Sequence, residues 1–222
     1  MPARSTPLDP SSADEVISRC PTGALEDRSG SLELHDDRCV HCFRCQRGDG
    51  PAAEWTTGFE WAGVVSSSSR KTPALSGPFG RSLHVRVVDA GACGACLREM
   101  SLLGGPHYNM HRLGFFVTPT PRQADVLLVA GPVTDHMREP LREAFSSMPD
   151  PKRVVAVGAC AASGGVFGPS FACAGGAEEV VPVDVVVPGC PPPPLAVLHA
   201  LLLVAGRSSP NEGRRESAER SE

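Results

Sequence analysis

Between residues 81 and 206, five short apolar runs alternate with stretches of helical pattern. The runs fall at residues 84–88, 114–117, 125–129, 153–157 and 184–187, and the helical patterns at 95–103, 134–147 and 192–204. The runs are rich in β-branched residues, as expected for strands that are buried on both faces. Strands that alternate with helices form a mostly parallel sheet covered by helices. The sequence therefore predicts a doubly wound α/β domain.

Three segments outside this domain differ from it in composition. Residues 1–17 are polar and contain three prolines, so we expect them to be disordered. Residues 61–80 contain a run of serines with several glycines and prolines, which is typical of a linker. Residues 207–222 are predicted to form a disordered, solvated tail. Residues 18–60 remain as a separate small segment, and they contain four of the nine cysteines.

The overall composition excludes several classes of protein. A hydrophobic content of 41% is enough for a globular core, and a net charge of -4 argues against a nucleic-acid-binding surface. The first residues contain no apolar run of signal-peptide length, so we expect a cytoplasmic protein. In that reducing compartment, cysteines are more often metal ligands than disulfides. The longest apolar stretch, residues 191–205, is too short and too rich in proline to span a bilayer.

The cysteines of the N-terminal segment have the spacing of half a ferredoxin. A two-cluster ferredoxin repeats C-x2-C-x2-C-x3-C-P, and the last cysteine of each repeat binds the cluster of the other repeat. Here Cys20 precedes a proline, and a C-x2-C-x2-C run follows at Cys39, Cys42 and Cys45. These four correspond to the residues that serve one cluster. The segment is therefore predicted to bind a 4Fe-4S cluster, with a four-cysteine zinc site as the rival interpretation.

A second set of four cysteines follows the ends of predicted strands. Cys93 and Cys96 come after the first strand, Cys160 after the fourth and Cys190 after the fifth. Because open α/β sheets bind ligands outside the carboxyl ends of their strands, we expect these loops to converge on a second 4Fe-4S cluster. Buried unligated cysteines and a zinc site are the alternatives. Cys173 is predicted to be a buried small residue.

Several motifs place residues 81–206 in a known family. They are RSLHVRVVDAGACGAC at 81–96, YNMHRLG at 108–114, PRQADVLLVAGPVT at 121–134, VGACAASGG at 157–165 and VPVDVVVPGCPP at 181–192. This region resembles the small subunits of membrane-associated (group 4) NiFe hydrogenases, including formate hydrogenlyase. The same motifs mark the cluster-bearing B subunit (20 kDa type) of NADH-quinone oxidoreductase.

The resemblance implies a flavodoxin-like fold whose cluster faces a separate large subunit. Cys93, Cys96, Cys160 and Cys190 match the four cluster ligands of the family. Glu99 matches an acidic residue that follows the second cysteine. We expect Glu99 either to transfer protons at the subunit interface or to be an ordinary helix-surface carboxylate.

The function implied is electron transfer within an oxidoreductase complex, with no bond-making chemistry on this chain alone. The expected partners are a large subunit and other iron-sulfur and membrane subunits, which would hold the chain at the cytoplasmic face of the membrane. The Cys93-x2-Cys96 spacing favours the formate hydrogenlyase branch, because the NADH-quinone subunit has two adjacent cysteines there. A quinone-reducing subunit and a cluster-based redox sensor remain as alternatives.

Overall fold

The N-terminal part of the chain forms a small unit of strands around one helix. The computed structural model describes residues 3–5, 10–28, 31–47, 53–55, 58–65, 75 and 77–209. The elements of this unit are β1 (Ala3–Ser5), α1 (Pro10–Ser18), β2 (Leu25–Arg28), β3 (Ser31–Leu34) and β4 (Ala53–Trp55). Strands β2 and β3 form an antiparallel hairpin, and β1 pairs antiparallel with β4.

The ordered N-terminal elements correct the expectation that residues 1–17 are disordered. Ala13 and Val16 lie on one face of α1 and pack against Leu25 of β2 and Leu32 of β3. All four are buried. The helix is thus stabilised by tertiary packing of a narrow apolar stripe, which composition alone does not reveal. Residues 1–2 and 6–9 lie outside the described part of the chain.

The main domain is built on a six-stranded sheet. Its strands are β5 (Gly63–Val64), β6 (Leu83–Asp89), β7 (Phe115–Val117), β8 (Val126–Ala130), β9 (Arg153–Val157) and β10 (Val185–Val187). The order across the sheet is β5-β10-β9-β8-β6-β7, and all neighbours are parallel except β5 and β10. The five parallel strands have the flavodoxin-like order 2-1-3-4-5. The predicted flavodoxin-like, mostly parallel α/β fold is confirmed.

Helices cover both faces of this sheet. They are α2 (Ala95–Leu102), α3 (Asp135–Ser147), α4 (Ala159–Ser163) and α5 (Pro194–Val204). Alternate residues of the central strands face opposite sides, so that Leu128 and Val155 pack with α2 and α5, whereas Leu127 and Val154 pack with α3 and α4. Short 3-10 helices occur at Arg44–Gln46, Gly77–Gly80, Met110–Leu113, Pro121–Gln123 and Ala177–Glu179.

Part of the segment predicted as a linker belongs to the sheet. Gly63 and Val64 form β5, which pairs antiparallel with β10 at the edge of the sheet. Trp61, just before this strand, packs against the core on the side of α2 and α5. The prediction of a linker over residues 61–80 is therefore wrong at β5. Residues 66–74 and 76 of that segment, and 210–222 of the predicted tail, lie outside the described residues.

Candidate metal centres

The four N-terminal cysteines line one pocket. Cys20 follows α1, and Cys39, Cys42 and Cys45 lie on the loop and 3-10 turn after β3. All four line one recess that is partly open to solvent. The other lining residues are mostly apolar: Leu25, Leu34, Val40 and Phe43, together with Thr22 and Arg44. The structure therefore brings the first set of thiols together in a largely apolar recess.

Backbone N-H groups point at two of these sulfurs. The amide of Ala24 donates to Cys20 Sγ at 3.2 Å, and the amide of His41 donates to Cys39 Sγ at 3.4 Å. Burial opposes ionisation of Cys20, but hydrogen bonds from Thr22, Ala24 and Leu25 together lower the pKa of its thiol. Burial raises the pKa of Cys39 to about 12. A buried thiol of this kind becomes a thiolate readily only beside a compensating positive charge, such as a metal.

The loop between the ligand candidates has an unusual backbone. His41 and Phe43 both have positive φ, 52° and 57°, on either side of Cys42. Side chains larger than glycine rarely adopt this conformation, and it concentrates at functional sites. His41 is half-buried, and its ring packs edge-on against Trp61 with centroids 5.3 Å apart. Burial lowers the pKa of His41 to about 4, so its imidazole is neutral at pH 7.

The second set of cysteines lies at the carboxyl edge of the parallel sheet. Cys93 is in the loop from β6, Cys96 is in the first turn of α2, Cys160 is in α4 after β9, and Cys190 follows β10. The turn that leads to Cys93 is shaped by Asp89, the last residue of β6. Its Oδ1 accepts hydrogen bonds from the amides of Gly91 and Ala92, at 3.0 and 2.7 Å.

Glycines allow the backbone to approach these sulfurs. A Cβ added to Gly158, whose φ is 88°, would lie 2.7 Å from Cys96 Sγ. A Cβ on Gly165, whose φ is 57°, would lie 3.0 Å from Cys160 Sγ. Any larger residue at either position would therefore be strained and would crowd a thiol.

The second set of thiols forms one electrostatic group. Burial, followed by the charges of Cys160, Cys190 and Cys93, raises the pKa of Cys96 to about 12. Burial also raises the pKa of Cys160, with smaller contributions from Cys190, Cys93 and Cys173. The pKa of Cys190 is raised by burial and by Cys93. These mutual effects require short separations, because a charge influences its neighbour only at close range.

The described residues contain no preformed site for a single metal ion. In the part of the chain that the structure describes, no group of three or more cysteine, histidine or acidic side chains has the geometry of a single-ion site. A zinc ion with four sulfurs at 2.3 Å needs the sulfurs about 3.8 Å apart. In a cubane, each thiolate binds a different iron and the sulfurs lie farther apart.

A hydrogen bond connects the two segments that carry the cysteine sets. The hydroxyl of Ser163, at the end of the helix that carries Cys160, donates to the carbonyl oxygen of Asp37 at 3.1 Å. Asp37 lies two residues before Cys39. The ring contact between His41 and Trp61 is a second link between the N-terminal segment and the main domain. No sequence motif indicates either contact.

Two further residues lie near the second set. Glu99 is half-buried in the second turn of α2, not in the first turn and not on an open surface. Cys173 is half-buried as well and forms a β-bridge with Thr134, the N-cap of α3. Its contribution to the raised pKa of Cys160 places it close to that set. The sequence interpretation of Cys173 as a buried residue missed this proximity.

The family profile described as NADH ubiquinone oxidoreductase, 20 Kd subunit, matches residues 93–204, which is half of the chain. The chain belongs to this family. The matched range contains Cys93, Cys96, Cys160 and Cys190 but not the N-terminal set. The 20 Kd subunit family thus accounts for the main domain, and the N-terminal segment is outside the match.

Named relatives of this 20 Kd-family chain are subunits of oxidoreductase complexes. Formate hydrogenlyase subunit 7 of Escherichia coli is 44% identical over 126 residues, which are 57% of this chain and 49% of that protein. The chain thus spans about half the length of that relative. A probable membrane-bound hydrogenase subunit of Pyrococcus furiosus is 40% identical over 142 residues, 60% of this chain and 85% of that protein.

This chain is also similar to a chain of a solved structure, that of the membrane-bound sulfane sulfur reductase, an archaeal respiratory membrane complex. The identity is 28% and the TM-score 0.50, over 64% of this chain and 80% of that chain. Within the described ranges, no helix is long and apolar enough to cross a membrane.

Proposed function

We propose that this chain is the iron-sulfur electron-transfer subunit of a membrane-bound, multisubunit oxidoreductase of the hydrogenase type. The observation that carries the proposal is the Ser163–Asp37 hydrogen bond, which joins the two segments that carry the four-cysteine sets. Residues 18–60 form the first cluster unit, extended in the structure by α1, and residues 81–206 form the second. When bound, two 4Fe-4S clusters supply reversible one-electron transfer.

The residues present fit such clusters. Cys20, Cys39, Cys42 and Cys45 would hold the first, and Cys93, Cys96, Cys160 and Cys190 the second. Burial raises the pKa of Cys39 and Cys96 to about 12, which a polynuclear iron centre offsets by supplying positive charge. The half-ferredoxin spacing of Cys20, Cys39, Cys42 and Cys45 favours a cubane over zinc at the first set.

The chain's own residues would set the environment of the clusters. Leu25, Leu34 and Val40 exclude water from the first pocket, and amides of Ala24 and His41 donate to its sulfurs. Gly158 and Gly165 bring the backbone against sulfurs of the second set. Hydrogen bonding and solvent exclusion are the means by which a protein tunes cluster potentials.

The partners follow from the relatives. Formate hydrogenlyase and a membrane-bound hydrogenase supply the named relatives, so we infer a large subunit that contacts the second cluster, with other iron-sulfur and membrane subunits. These would hold the chain at the cytoplasmic face of the membrane. The spacing of Cys93 and Cys96 supports the hydrogenase branch over quinone reduction. Glu99, half-buried three residues after Cys96, is proposed to transfer protons at the subunit contact.

Iron stoichiometry tests the two-cluster assignment. Chain purified without oxygen should contain about eight irons and, once reduced, give two magnetically interacting EPR signals. Cys42→Ser and Cys190→Ser should each retain about four irons and lose different signals. Cys173→Ser is the matched control and should retain both clusters. Stoichiometric zinc, or about four irons in the parent chain, contradicts the proposal.

The identity of the complex is tested separately. The tagged chain should copurify with a large subunit that contains nickel. A nickel-free partner whose activity depends on quinone would replace the hydrogenase assignment with the quinone-reducing one.

The proposed role of Glu99 is tested by substitution. The Glu99→Gln variant should slow turnover of the complex while leaving both cluster signals unchanged. Equal turnover of the variant and the parent would exclude the role of Glu99 in proton transfer.

A further inference from the structure

The loop that carries Cys93 is built from small residues. This ligand loop runs from Ala90 to Gly94, and apart from Cys93 it contains only alanine and glycine. Cys93 itself is exposed. Cys190, the other exposed cysteine of the second set, is instead followed by a run of prolines. Because small side chains offer little area for packing, the position of Cys93 depends on what other loops supply.

The loop that follows β8 lies beside the ligand loop. In the sheet order, β8 lies between β6, which leads to Cys93, and β9, which leads to Cys160. The ends of β6, β9 and β10 each lead to a cysteine of the second set, whereas the β8 loop, residues 131–134, contains none. The β8 loop therefore lies between two cysteine-bearing segments without supplying a ligand.

The β8 loop is in close contact with the ligand loop. The amide of Thr134 donates to the carbonyl oxygen of Ala90 at 2.9 Å. A Cβ added to Gly91 would overlap with Cγ2 of Thr134, so the threonine methyl group fills the space beside the glycine backbone. A Cβ added to Gly131 would lie 2.6 Å from the amide nitrogen of Ala92. Neither glycine therefore leaves room for a larger residue.

The β8 loop is fixed on its other side as well. Val133 is fully buried and has a φ of 47°, a conformation that β-branched residues rarely adopt. Its carbonyl oxygen accepts a hydrogen bond from the amide of Ala174 at 2.9 Å. Two residues later the chain packs on α4, because a Cβ added to Gly176 would lie 2.7 Å from the carbonyl oxygen of Ala162. The β8 loop is thus anchored to the helix that carries Cys160.

The side chain of Thr134 does not cap the helix that it precedes. Thr134 is the N-cap residue of α3, where a threonine hydroxyl normally accepts a hydrogen bond from the helix backbone. Its hydroxyl makes no such bond. The side chain is half-buried, and its methyl group packs against Gly91. The methyl contact, and not helix capping, therefore connects this side chain to its surroundings.

We propose that Thr134 is a positioning residue for Cys93. Its methyl group holds the ligand loop in place, and the β8 loop ties that position to the helix that carries Cys160. The inference rests on the proposed function, since it concerns a ligand of the second cluster. Because Cys93 is exposed, the iron that it binds is the first to leave once the ligand loop loosens. Thr134 thereby retains this iron.

Three substitutions separate the methyl group of Thr134 from its hydroxyl. Thr134→Val keeps the methyl group, Thr134→Ser keeps the hydroxyl, and Thr134→Ala keeps neither. A chelator should remove iron from the second set about four-fold faster in Thr134→Ser and Thr134→Ala than in the parent chain, as expected for the loss of one packed methyl group. Thr134→Val should match the parent chain, because the hydroxyl makes no capping bond.

An oxidation assay identifies the iron that is lost. Ferricyanide takes one electron from the second cluster and one ferrous ion leaves, so that a three-iron cluster remains and the thiolate of Cys93 takes up a proton. The oxidised three-iron cluster gives an EPR signal, whereas the oxidised four-iron cluster gives none. In Thr134→Ser this signal should appear about four-fold faster than in the parent chain. General loosening of the main domain would instead release all the iron of the second set without this signal.

Thr120 provides a matched control. It is also a half-buried threonine at an N-cap position without a side-chain capping bond, but it lies before β8, at the opposite edge of the sheet. Thr120→Ser should therefore release iron at the rate of the parent chain. Equal rates for Thr134→Ser and Thr120→Ser, or faster release in Thr134→Val as well, would overturn the proposal. Failure of the proposed function itself would appear earlier, as missing iron or stoichiometric zinc in the parent chain.

Discussion

Ser163 Oγ donates to the carbonyl oxygen of Asp37 at 3.1 Å, and this bond spans 126 positions of sequence. The same hydroxyl lies 3.2 Å from the carbonyl oxygen of Ala159, one helical turn earlier. Ala159 and Ser163 flank Cys160 in α4, whereas Asp37 precedes Cys39. One hydroxyl thus links the two cysteine-bearing segments. Because it contacts both, it helps to fix the distance between them.

Removal of this hydroxyl should loosen the first segment. Ser163→Ala loses a hydrogen bond of about 1 kcal/mol, so amide exchange over residues 35–41 should accelerate about five-fold. Ser146→Ala is the control, because Ser146 Oγ bonds only the carbonyl oxygen of Glu143 within α3. Mass-spectrometric hydrogen exchange makes the comparison. Equal exchange in both variants would show that the bond does not fasten the segment.

A methyl group at Gly158 should disrupt the second cysteine set alone. The new Cβ would lie 2.7 Å from Cys96 Sγ, and the φ of 88° would add strain. Gly158→Ala is therefore expected to retain about four of about eight irons, with the first EPR signal intact. Gly168→Ala is the matched control, since Gly168 has a φ of 60° but no atom within 4 Å of the added Cβ. Full iron content in Gly158→Ala would contradict the assignment.

The sheet was predictable because buried parallel strands leave a strong local signal. The predicted strand at residues 153–157 coincides with β9, and the prediction for 184–187 differs from β10 by one residue. Edge strand β5 was not predictable, because two residues carry no periodicity and their pairing depends on the distant β10. Helix α1 was missed since its apolar stripe is only Ala13, Val16 and Ile17 within a polar sequence.

The candidate site was predictable for a different reason. Cysteine spacing, together with strand ends that share one edge of the sheet, brings Cys93, Cys160 and Cys190 together despite their separation in sequence. The contacts that orient the two sets, such as Ser163 with Asp37, use residue types common throughout any chain. Nothing in their local sequence distinguishes them, so only the tertiary structure reveals them.

The turn that leads to Cys93 should depend on an acceptor at Asp89. Asp89→Ala leaves the amides of Gly91 and Ala92 without their acceptor and is expected to cost about 1–3 kcal/mol of local stability. Asp89→Asn keeps an oxygen at that position and should rescue most of the loss. The measurement is the rate at which a chelator removes iron from the second set. Similar rates in the two variants would mean that the turn does not position Cys93.

A charge buried under α1 should prevent the first cysteine set from holding its cluster, while the second set keeps its own. Val16 is 7% exposed and packs with Leu25 and Leu32, and Cys20 and Cys45 pack against this same cluster. Val16→Asp places a carboxylate there at a cost of about 3 kcal/mol, so the first pocket should lose its shape and about four irons. Ser18→Asp, with the same new side chain at an exposed position of α1, should keep about eight irons. Iron analysis with EPR separates the two outcomes. Loss of both clusters in Val16→Asp would instead mean that the N-terminal unit and the main domain unfold together.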